Sequence, residues 1–164
     1  MRLHTVKRIA ARDRRRVAIH EAGHIVMGRH VGIDTFRAEI FPTYAQHTYD
    51  KLWIGKATYL RHSNTRAMRM FAVAGAVAED VWQGGEFYDE DWYDHDAMSA
   101  TDWAGAGCEP GKPLRIVLLA IERTYGLFDP SGELWPKVLW EARRLIEESR
   151  DHLKSPEYIA SLSP

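Results

Sequence analysis

The chain carries one cysteine in 164 residues, so no disulfide can form within it and packing alone must hold its core. That scarcity fits a reducing compartment, and a cytoplasmic location is the expectation. Cys108 lies in the turn-like segment Gly105-Ala106-Gly107-Cys108-Glu109-Pro110-Gly111 with no His or Asn beside it, which reads as an incidental thiol. Long apolar runs are also missing. The longest, Ile116 to Ile121, falls far short of the ~18 residues a membrane span requires, so no membrane span is expected. The N-terminus is basic but no apolar stretch follows it, so no secretory signal is expected either. No internal repeat and no long linker interrupts the chain.

Neither sign of charge is in excess overall, the formal net charge being -1, but the charges are unevenly placed. Lys7, Arg8, Arg12, Arg14, Arg15 and Arg16 crowd one segment, opposed only by Asp13. Without interleaved aromatics such a run reads as a solvated face, and a nucleic-acid partner, resting on charge alone, is the weakest reading. Glu86, Asp89, Glu90, Asp91, Asp94 and Asp96 crowd a later segment. A calcium loop starting at Asp89 would need an oxygen ligand at Tyr93 and glycine at Asp94, and it has neither.

What remains is an ordinary globular composition, 45% hydrophobic and 27% charged, over a length that suits one domain. Residues 1–164 are therefore expected to form a single unit, with 1–11 and 154–164 as tails. Asp13 is placed to cap a helix running to about Gly28, with Ala18, Ala22, Ile25 and Val26 on its apolar side. Phe36 to Phe41 and Trp53 to Leu60 read as strands, separated by a polar connection. Ser63 or Asn64 caps a second helix containing Met70, Phe71, Ala74, Ala78, Val81 and Trp82, stopped by Gly84-Gly85. Residues 86–95 read as loop, followed by a helix from about Asp96 to Ala106. Pro113 opens another helix capped by Gly126, and Pro136 opens a last one extending to Leu153. The expected fold class is α+β, predominantly helical, with a small two- or three-stranded sheet.

The most specific feature is His20-Glu21-Ala22-Gly23-His24. On a helix, histidines at i and i+4 share a face one turn apart, so their imidazoles can grip one metal ion, with zinc the natural occupant. Glu21, beside that face, can take a proton from a water the metal activates. Core packing asks for no such triplet.

Two histidines leave the site incomplete. His30 follows His24 by six residues, but the chain would have to reverse just after Val26, where Met27 stands and Gly28 comes one position late. Glu79 lies on a later helix, and Asp96 is the remaining strong candidate. Composition alone does not choose among them.

Val17-Ala18-Ile19-His20-Glu21-Ala22-Gly23-His24-Ile25-Val26-Met27-Gly28 resembles the signature helix of the FtsH-type ATP-dependent zinc metalloproteases, in their peptidase domain. Ala74-Gly75-Ala76-Val77-Ala78-Glu79-Asp80 is similar to that family's glycine-rich, Glu-containing helix behind the site. His95-Asp96-Ala97-Met98-Ser99-Ala100-Thr101 is similar to its Asn-Asp-x-x-x-Ala-Thr segment. The likeness extends from about residue 12 to about residue 153. It implies a zinc ion held by His20, His24 and Asp96, with Glu21 as general base and Glu79 as support behind the ligands. Trp92, Tyr93, Asp94 and His95 depart from the family's pattern just before Asp96, and Asp94 and His95 could compete for the metal.

No counterpart of the family's ATPase module or membrane anchor is expected in this chain. Gly107 to Lys112 has the wrong glycine spacing for a phosphate loop, and Pro113 stands where Ser or Thr should hold magnesium. The expected function is thus an ATP-independent zinc metallopeptidase acting on peptides or unfolded proteins, along an edge strand that the resemblance implies. A homo-oligomer and a separate ATPase partner are both compatible with it. The alternative is a zinc-containing binding or regulatory module that cuts nothing, against which the intact Glu21 argues.

Overall fold

Helix α1 spans Leu3–Val31 because its apolar residues keep helical spacing from the start. Val6, Ala10, Val17, Ala18, Ala22 and Ile25 form one buried stripe, while Lys7, Arg8, Arg12 and Arg15 stay exposed. Two expectations change as a result. Residues 3–11 are the opening turns of α1, and Asp13 lies inside the helix, buried, instead of capping it. The clustered arginines obscured a stripe that already begins at Val6. The structure, a computed structural model, describes residues 3–43, 52–60, 62–94 and 98–162.

Strands β1 (Thr35–Pro42) and β2 (Trp53–Tyr59) form a two-stranded antiparallel sheet with Ile40 opposite Gly55 and Pro42 opposite Trp53. On β2 the period-two alternation exposes Ile54, Lys56 and Thr58, while Trp53 is buried and Gly55, Ala57 and Tyr59 are half-buried. Helix α2 (Thr65–Gln83) starts at Asn64, whose side chain accepts from the backbone N–H groups of Arg66 and Ala67. It ends at Gly84, whose φ of 84° is the left-handed cap geometry. Because α2 packs between α1 and later helices, residues Phe71 to Ala78 are buried without interruption.

A 3-10 turn at Asp89–Tyr93 interrupts the expected loop and buries Trp92. Helix α3 (Ala100–Ala106) begins later than expected, at the cap Ser99. Helix α4 (Arg115–Leu127) runs past Gly126, because Phe128, fully buried, donates its N–H to the Thr124 carbonyl and carries the turn onward. Helix α5 (Trp135–Glu148), with Pro136 in its first turn, gives way to a 3-10 turn at Ser149–Lys154 before α6 (Pro156–Ser161). Tyr158 of α6 is buried, so this end of the chain is packed rather than loose. The fold is predominantly helical α+β, as expected, with α1 at its centre against α2, α5 and the sheet. No described helix is long and apolar enough to cross a membrane.

Candidate metal centre

The middle of α1 faces the middle of α2, and two glycines let them approach. A Cβ at Gly23 would lie 2.5 Å from the Ala74 carbonyl oxygen and 2.8 Å from Ala78 Cβ. A Cβ at Gly75 would lie 2.5 Å from the Nε2 atoms of both His20 and His24. The imidazole pair therefore rests on bare backbone of α2.

The two Nε2 atoms are 3.1 Å apart, an approach that the i, i+4 spacing allows. Asp102, on the first turn of α3, supplies a third group: Oδ2 is 3.5 Å from His20 Nε2 and Oδ1 is 3.4 Å from His24 Nε2. One ligand atom from each of His20, His24 and Asp102 lies within 4.8 Å of the others, a group that could hold a metal ion. The far nitrogen of each ring is committed elsewhere. His24 Nδ1 donates to the Phe71 carbonyl oxygen at 2.8 Å, and His20 Nδ1 meets Glu79 Oε1 at 2.8 Å. These partners hold the Nδ1 side of each ring and leave each Nε2 facing Asp102 as the nitrogen a metal would take. The donor set, two imidazole nitrogens and one carboxylate oxygen, fits zinc chemistry.

Electrostatics follow from burial and close partners. Burial opposes the charge on His20, but hydrogen bonds to Asp102 and Glu79 and the charges of Glu79 and Glu21 outweigh it, pushing its pKa up to about 10. His24 moves down, because burial and then the neighbouring His20 outweigh Asp102. Asp102 is held down at about 2: burial works against its charge, but His24, His20 and Ser99 win. Glu79 is lowered too, burial being outweighed by His20 and Arg16. Burial pushes Glu21 up to about 7, with Asp102 and Glu79 adding to the effect and His20 opposing it. A carboxylate poised near neutrality suits proton transfer in either direction.

These groups line a cleft of about 890 Å³ whose other wall is β2, from Trp53 to Tyr59, with Met98, Ser99 and Pro110 at the α3 side. Gly55 of β2 stands directly over Glu21: a Cβ there would lie 2.2 Å from Glu21 Oε1. Among the described residues β2 pairs only with β1, so its second edge carries no strand partner.

The motif residues His20, Glu21 and His24 thus converge in one cleft, with Glu79 behind His20. His30 is exposed on an unbroken α1 and does not turn back toward them. Asp96 and His95 lie outside the described residues, and Asp94 belongs to the exposed acidic segment. Asp102 is the residue that sequence reasoning missed. The local signal marks only the helix start: Ser99-Ala100-Thr101-Asp102 has capping-box spacing, and the Asp102 carboxylate accepts from the Ser99 hydroxyl at 2.6 Å. That cap starts α3 where its first turn meets the histidines. No protein-family model and no curated protein matches this chain.

Proposed function

We propose that this chain is a zinc-dependent metallopeptidase that hydrolyses peptide bonds without ATP, in the manner its resemblance to the FtsH-type peptidase domain implies. The observation that carries the reading is the convergence of both Nε2 atoms on Asp102, beside the buried carboxylate of Glu21 and the strand β2. His20, His24 and Asp102 would hold the zinc. When bound, zinc supplies a Lewis acid that polarises the scissile carbonyl and acidifies water.

The chain's own residues supply the rest. Glu79 and the Phe71 carbonyl hold the imidazoles in the ligating tautomer. Glu21 takes the proton of the attacking water on its carboxylate and returns it to the leaving amine. Its burial between α1 and Gly55 keeps that carboxylate out of bulk water. A peptide in extended form would add to the edge of β2 that carries no strand partner among the described residues, held by main-chain hydrogen bonds that read sequence weakly. Gly55 and Ala57, both small, leave the wall shallow there. Substrates are then peptides and loosely folded segments, or proteins supplied by a partner ATPase.

The test is cleavage of casein by the zinc-loaded chain, with and without a chelator. Chelator-sensitive cleavage is expected. A zinc-loaded chain that leaves casein and unstructured peptides intact would make this a zinc-containing binding module instead.

A further inference from the structure

The cleft has two parts that must keep register, the metal ligands on α1 and the strand β2, and one chain of polar contacts joins them. The Trp53 N–H, at the first residue of β2, donates to Asp13 Oδ2 at 2.7 Å. The other oxygen of Asp13 accepts from Arg16 Nη2 at 2.9 Å and Nε at 3.1 Å. Arg16 Nη1 then donates to Glu79 Oε2 at 3.0 Å, and Glu79 Oε1 meets His20 Nδ1 at 2.8 Å. Every oxygen of both carboxylates is engaged. Asp13 is buried, where an unpaired carboxylate would be costly, so Arg16 is required as its counter-charge.

We propose that Asp13 and Arg16 are positioning residues: through Glu79 they hold the His20 ring for metal, and through Trp53 they lock β2 to the same helix. This rests on the metal reading of the site and adds a role to residues outside the motif. Arginine suits the position because its planar fork spans two carboxylates at once, whereas the lysine ammonium is a single point charge on a flexible stem. The i, i+3 spacing of Asp13 and Arg16 on α1 keeps that fork fixed relative to His20, one turn further on.

Arg14 provides an internal control. Its guanidinium lies 5.1 Å from the centre of the Trp53 ring and bonds to Ser149, so it supports the same strand start without touching Glu79. The experiment is Co²⁺ titration of the apoprotein, read by the visible absorption band and by competition with Zn²⁺. Arg16→Met should weaken Co²⁺ binding by about tenfold to a hundredfold, the scale expected when a partner behind a ligating histidine is lost. Arg16→Lys should fall between it and wild type, and Arg14→Met should match wild type. Glu79→Gln combined with Arg16→Met should cost no more than Glu79→Gln alone, because both interrupt one path. Additive losses, or unchanged affinity and band shape in Arg16→Met, would overturn the relay while leaving the metal site in place. A wild-type chain that binds no Co²⁺ would remove the metal reading and the relay with it. Should Arg16→Met fail to fold, Arg16→Lys with the Glu79 cycle decides the question.

Discussion

Asp102 Oδ1 stands 3.4 Å from His24 Nε2, while Oδ2 of the same carboxylate accepts from the Ser99 hydroxyl. One side chain therefore starts a helix and faces the imidazole pair. Asp102→Ala should lose zinc almost as completely as His20→Ala or His24→Ala, whereas His30→Ala should retain it. Metal content by mass spectrometry or colorimetry reads this directly. Zinc lost in Asp96→Ala but kept in Asp102→Ala would give the third position to Asp96.

On the proposed reading, Glu21 would divide catalysis from binding. Glu21→Gln keeps size and burial but removes the proton acceptor, so zinc occupancy should stay near one while casein cleavage falls by roughly two to four powers of ten. Full activity in that variant would end the proposed role of Glu21.

The two helix-contact glycines should respond differently. A methyl at Gly75 meets both imidazoles, which are pinned on their far sides by Glu79 and Phe71, so neither can move away without breaking a bond. Gly75→Ala should weaken metal by about tenfold or more. Gly23→Ala presses instead on α2 backbone, and should cost about 1–3 kcal/mol of stability through overpacking. Zinc affinity and thermal melts of both variants separate the effects.

In the metal-free protein, pH should act through His20 and Asp102. The pKa of His20 rises on folding from 6.5 to about 10, so its stabilisation is complete below about pH 6.5 and disappears as pH rises toward 10. The pKa of Asp102 falls from 3.8 to about 2, so its contribution holds above pH 3.8 and is lost as pH drops toward 2. The two share the His20–Asp102 contact, while His24 also holds Asp102 down and Glu79 also raises His20. Chelator-treated wild type should therefore lose melting temperature between pH 6.5 and 10, and His20→Gln should flatten that slope. Zinc affinity should rise across the same interval, because ligation displaces the proton from His20.

How much of this was legible depended on whether the signal was local. The i, i+4 histidines, the Asn64 cap and the Gly84 stop are short-range patterns, and each element fell where they indicate. Asp13 was misread because capping and buried pairing use the same residue type, and only the tertiary approach of Trp53 tells them apart. Asp102 needed the docking of α3 against α1 and α2, which no periodicity encodes. Gly126 failed as a cap because buried Phe128 carries the chain past it.

Trp53 is enclosed by residues far from it in sequence: the ring of Tyr158 lies 5.6 Å away and that of His152 6.3 Å away, both edge-on. The final turns of the chain thus serve as a backstop for the wall along which a peptide would lie. Trimming them, by a protease or by a shortened expression clone, would leave the histidine motif intact yet let that wall slacken. On the proposed reading, such a species would still titrate with metal while gripping a peptide poorly, a loss that a metal assay alone would not reveal.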